Sequence, residues 1–65
     1  MNYREARLLK SGDEVVRKED KALMIIHEVN AYGQYKTVKL VCYLKSDEKQ
    51  EKLYYYNDDV EEKTP

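Results

Sequence analysis

The sequence predicts an all-β domain, a small five-stranded barrel preceded by a short helix. Three observations carry that prediction. Val38, Leu40, Cys42 and Leu44 alternate with Thr37, Lys39, Val41 and Tyr43, so a purely apolar set shares one face of a strand. Apolar runs lie before and after this strand, bounded by charged or turn-forming residues, and offer it a partner on each side. Five short hairpin-connected strands are too little for a two-sheet sandwich of usual size, whereas a strongly bent barrel also removes exposed edges.

Taken in order, Asn2 caps a helix of about residues 3–10, and Glu5 is placed to complete a capping box. Tyr3, Ala6 and Leu9 form its narrow apolar stripe, and Gly12 stops it. So short a helix persists only if Leu8 or Leu9 docks on the barrel, as a lid over one end of the core. Ser11-Gly12-Asp13 turns the chain into a first strand, Glu14 to Arg17. The charged stretch Arg17 to Lys21 is a solvated turn.

The second strand, Ala22 to Val29, has two possible phases. A regular strand turns Leu23, Ile25, His27 and Val29 inward. A bulge near His27-Glu28 turns Met24 and Ile26 inward instead, with Val29 re-entering after the extra residue. The bulged form is expected, because a small barrel needs sharp bends and because it keeps His27 out of the core. Ala31 to Gln34 connects to the central strand, Tyr35 to Leu44, with Gly33 free to take positive φ.

Lys45 to Gln50 is a polar hairpin loop, and Glu51 to Tyr56 the next strand. Setting Leu44 opposite Glu51 places Cys42 opposite Leu53 and Leu40 opposite Tyr55. On the outer face it pairs Tyr43 with Lys52, Val41 with Tyr54, and Lys39 with Tyr56. A slip of one residue would mix core and surface, which fixes the register. Asn57-Asp58-Asp59 forms a tight turn, Val60 opens a last strand that ends by Lys63, and Thr64-Pro65 fray. One domain thus spans residues 1–65, its barrel about 13–63.

Several residues carry a resemblance. Leu9-x-x-Gly12-Asp13-x-Val15, then Met24-x-Ile26-x-x-Val29, then Cys42-x-Leu44, and Tyr55 with Val60 resemble the pattern of small bacterial YodC-like proteins. More broadly they are similar to SH3-like barrels of the KOW and Tudor kind. Leu44 stands where that pattern tends to carry tryptophan, and Glu19-Asp20-Lys21 where it has a Gly-rich turn. The resemblance covers about residues 9–63, omits the helix, and implies an SH3-like barrel acting as a binding module.

Composition narrows the function. The chain has 65 residues, one cysteine and a net charge of −1. No disulfide can form within it, and a single thiol fits a reducing cytoplasm. The run Ala22 to Ile26 is too short to span a bilayer, and the first residues lack the apolar segment of a signal peptide, so a soluble cytoplasmic protein is expected. Residues 46–65 carry three Lys/Arg against seven Asp/Glu, which weighs against gripping nucleic acid through a broad basic surface.

No catalytic group is expected. His27 has no orienting carboxylate or nucleophile at a recognisable spacing, and Cys42 lies mid-strand on the apolar face, where a thiol behaves as a small hydrophobe. Asp58, Asp59, Glu61 and Glu62 do not match a calcium-loop spacing and read as a solvated acidic stretch. Neither metal nor cofactor is expected.

The oddity is seven tyrosines without Phe or Trp. Tyr55 belongs to the core and Tyr3 covers it. The rest are either cross-strand supports or a contact surface, tyrosine giving large area at low entropy cost. The leading expectation is a non-catalytic module that binds another protein, or itself, through an outer face of Tyr35, Lys39, Val41, Tyr43, Lys52, Tyr54 and Tyr56. The alternative is a KOW-like accessory domain on which Lys36, Lys39 and Lys52, with Tyr43, Tyr54 and Tyr56, contact single-stranded nucleic acid. Tyr32 and Tyr35 could also contribute to a Tudor-like aromatic cage.

Overall fold

Gly12 takes φ +97°, a left-handed conformation that a side chain would resist, and there the chain turns from helix to sheet. In the computed structural model, which describes residues 1–63, a helix α1 (Tyr3–Ala6) is followed by β1 (Glu14–Arg17), β2 (Leu23–Tyr32), β3 (Thr37–Leu44) and β4 (Leu53–Tyr56). A 3-10 turn, Asn57–Asp59, then leads to β5 (Val60–Glu62). The expected fraying of Thr64 and Pro65 lies outside the described residues.

The strands form one antiparallel sheet in the order β4-β3-β2-β1-β5. β4 and β5 are its two edges, yet only three residues join them. A flat sheet would hold these edges about 19 Å apart, at ~4.8 Å per strand. The four-residue step from Tyr56 to Val60 reaches at most about 14 Å. The sheet must therefore roll. Side chains and loops bridge the roll: Arg17 Nη1 on β1 donates to Tyr55 Oη on β4 at 2.8 Å, and Lys18 N–H donates to the Asp59 carbonyl at 3.0 Å. Among the described residues no ladder joins β4 to β5, so the sheet stays open along that seam.

The core is Ala6, Val15, Met24, Ile26, Val38, Leu40, Cys42 and Val60, with Tyr3, Leu9, Val29, Leu44 and Tyr55 packed around it. This inner set is the one the bulge predicts. Ile26 pairs with Cys42 and Glu28 with Val41, leaving His27 as the extra, exposed residue. Met24 and Ile26 are thereby turned inward, and Val29 rejoins the inner face opposite Leu40. The β3–β4 register is also as expected, from Cys42 opposite Leu53 to Lys39 opposite Tyr56.

The boundaries differ in ways with local causes. The helix closes after Ala6, because the Leu8 and Leu9 amides bond three residues back rather than four. Its capping box is complete: Asn2 Oδ1 accepts from Glu5 N–H at 2.9 Å, and Glu5 Oε1 from Asn2 N–H at 3.2 Å. Leu9 docks on the core, whereas Leu8 is 65% exposed. β2 runs on through Ala31 and Tyr32, which pair with Val38 and Thr37, so Tyr35 falls in the hairpin turn rather than in β3. In that turn Lys36, at φ 52°, takes the left-handed conformation expected of Gly33. β4 starts only at Leu53, and the expected pairs Leu44–Glu51 and Tyr43–Lys52 do not form. Asp47 is the cause. Its carboxylate accepts from Lys49 N–H and Glu51 N–H, each at 3.0 Å, and holds the loop in a turn of its own.

Candidate functional site

Among the described residues, four of the five exposed large apolar side chains are tyrosines, and the rolled sheet brings them to one region. Tyr32, Tyr35, Tyr54 and Tyr56 are 43%, 72%, 73% and 50% exposed. The register explains the grouping. Lys39 on β3 stands opposite Asn30 on β2 and Tyr56 on β4, and Tyr32 lies one same-face step beyond Asn30. Lys39 thus sits between two rings, with its Nζ 5.4 Å from the Tyr32 centroid and 5.9 Å from that of Tyr56. Each such contact contributes about 0.5–1 kcal/mol at an exposed site. Tyr32, Tyr35, Tyr56, Thr37 and Lys39 line an open hollow of about 380 Å³.

The structure places the expected face residues unevenly. Tyr35, Lys39 and Tyr56 come together at the β2–β3 hairpin end, joined by Tyr32, whereas Tyr54 stands one same-face step from Tyr56, opposite Val41, in the neighbouring hollow. Val41 lies on the same side of β3 but is only 8% exposed. It stands between Glu28 and Tyr54, its two cross-strand partners, and these longer side chains flank it in one shallow hollow. It is floor, not contact surface. Tyr43, half-buried opposite Ile25, lies four residues from Lys39, about 13 Å along β3. Lys52 is exposed but outside the ladder, and so is not held across from Tyr43.

The alternative nucleic-acid set is divided in the same way. Lys36 is turned from the tyrosine hollow, its Nζ 5.4 Å from the Tyr3 ring centroid on the side of α1. Tyr32 was the missed member of the face. Its signal was the bulge, since the extra residue at His27 puts Glu28, Asn30 and Tyr32 outward.

The groups with potential chemistry have structural environments. Cys42 is fully buried and unpaired, and burial pushes its thiol up to about 11, far from a reactive thiolate. Among the described residues, no three His, Cys, Asp or Glu side chains converge as metal ligands. No helix among them is long and apolar enough to cross a membrane. No protein-family model, curated protein or solved structure matches the chain.

Proposed function

We propose that this chain is an SH3-like barrel serving as a non-catalytic interaction module in the cytoplasm, and that it binds another protein through Tyr32, Tyr35, Lys39, Tyr54 and Tyr56. The barrel reading is supported by five antiparallel strands, the bulge in a long second strand, and edges drawn together by a three-residue turn. The functional reading rests on the exposure of four tyrosines on one part of a small surface. Such rings bring a large contact area with few torsions to freeze. Lys39, already seated on two of them, presents its charge without a further ordering cost.

The test is the double variant Tyr54→Ser, Tyr56→Ser. Both side chains point away from the core, while the inward contacts of Leu53 and Tyr55 remain, so the variant should melt close to the parent. A partner captured by the parent is purified and its affinity remeasured by calorimetry, with sedimentation velocity reporting self-association. Loss of either association supports the face. Unchanged association with a large loss of stability makes the tyrosines structural supports and removes the assignment.

A further inference from the structure

A second surface carries charge that the tyrosine contact does not use. Arg4, Arg7 and Lys36 line an open hollow of about 560 Å³ with Asn2 and Tyr3. Arg4 and Arg7, three residues apart, share one side of the chain at α1. Lys36 arrives from the β2–β3 hairpin, whose tip packs directly on the helix: Tyr3 Oη lies 3.1 Å from where a Cβ on Gly33 would stand.

These cations are not neutralised within the fold. Among the described residues none of the three makes an ion pair, whereas Arg17, Lys21, Lys45 and Lys63 each do. Glu5, the acid next in sequence, is turned back into the capping box. No carboxylate lines the hollow, although the chain carries 13 Asp and Glu and a net charge of −1. Three like charges around one concavity repel each other, and an anion seated there would relieve the repulsion.

The tyrosine hollow on the other side of the same hairpin is likewise free of carboxylates. Lys36 faces one hollow and Tyr35, its neighbour in sequence, lines the other with an open ring. Unneutralised cations beside exposed rings are what a single strand requires, phosphates on the charges and bases on the rings. We propose that the β2–β3 hairpin, together with Arg4 and Arg7, binds a short stretch of single-stranded nucleic acid. Arg4, Arg7 and Lys36 hold phosphates and Tyr35 stacks on a base. The site shares Tyr35 with the proposed protein contact but takes its charge from Arg4, Arg7 and Lys36, which that contact does not use, so loss of the three cations and loss of Tyr54 and Tyr56 test the two readings apart.

The experiment is fluorescence anisotropy of a labelled short oligothymidylate and oligouridylate, titrated with the full chain over a range of salt. Three phosphate contacts predict that log affinity falls with log salt at a slope of about −2. Arg4→Gln, Arg7→Gln, Lys36→Gln should flatten that slope and weaken binding roughly tenfold or more at low salt. All three side chains are exposed, so circular dichroism should show the fold unchanged. Tyr35→Ser should weaken binding roughly tenfold with the slope kept, because stacking carries no counterions. Absence of binding at low salt overturns the proposal, as does a triple variant that binds like the parent. Inorganic polyphosphate binding as tightly as the oligonucleotides, with Tyr35→Ser without effect, overturns it in favour of a general anion site.

Discussion

The side-chain Oδ1 of Asn57 accepts the main-chain N–H of Val38 at 3.0 Å inside the fold. The β3–β4 ladder ends at Lys39 opposite Tyr56, so Val38 would next face Asn57. There the chain leaves the ladder for the 3-10 turn, and the Asn57 carboxamide takes the place of the missing backbone carbonyl. Its Nδ2 also donates to the Met1 carbonyl at 2.9 Å, tying α1's approach to the same point. Asn57 is the one buried polar side chain among the described residues, 5% exposed, and is fully employed. Asn57→Ala leaves the Val38 amide buried and unpaired, and should cost about 1–3 kcal/mol in urea melts.

Acid stability should depend on Asp20. Its carboxylate accepts from Arg17 Nε and Nη2 at 2.8 and 2.7 Å, and the Ala22 N–H adds a further bond. Chiefly through Arg17, then through Ala22, its pKa falls from the ordinary 3.8 to about 2. Since the folded value lies below the unfolded one, the contribution is complete above about pH 4 and is lost as pH falls towards 2. Glu14, lowered by Lys63 and then Lys45, acts in the same direction. Asp20→Asn should therefore lose less of its melting temperature between neutral pH and pH 2–3 than the parent loses. Melting curves across that interval check it, and equal losses would show that the pair adds nothing at the acid limb.

Cys42 supplies a test of the core. It pairs with Ile26 on one side and Leu53 on the other, with no exposed surface. Cys42→Ser buries a hydroxyl among apolar neighbours and should destabilise by about 1–3 kcal/mol. The native thiol should react with a maleimide only as fast as the fold opens. Rapid labelling under native conditions would place it at the surface.

The core and the β3–β4 register could be read from the chain because both rest on period-two alternation, which a one-residue slip would ruin. Alternation alone leaves the second strand with two phases; the bulge is preferred because a small barrel needs sharp bends and because it keeps His27 out of the core, and the shift between Ile26 and Glu28 is where it falls. What escaped depended on side chains replacing backbone. Asp47 captures the amides of Lys49 and Glu51 and shortens β4. Asn57 reads as a surface turn residue until the end of the ladder puts it inside. The tyrosine-rich face was legible only in part, since alternation assigns Val41 outward but does not report that Glu28 and Tyr54 flank and bury it. Lys36 stands apart from Lys39 and Lys52 because a turn residue at positive φ has no sheet face to belong to.

The placement of Lys39 between two rings has a direct spectroscopic consequence. Its Nζ lies 5.4 Å from the Tyr32 centroid and 5.9 Å from that of Tyr56, which holds the end of an otherwise mobile side chain in the ring-current region of both. The Lys39 ε-methylene protons should therefore resonate upfield of those of Lys49 and Lys52, which make no cation–π contact among the described residues. Tyr32→Leu and Tyr56→Leu should each remove part of the displacement, and the double variant all of it. The combined loss of stability should stay within about 1–2 kcal/mol, the sum of two exposed cation–π contacts. Lys39→Met keeps the stem and removes the charge, so it separates packing from electrostatics. If Lys39→Met leaves the Tyr32 and Tyr56 ring resonances unmoved, the ammonium does not organise the hollow. The preordered charge invoked for partner binding would then have to be abandoned.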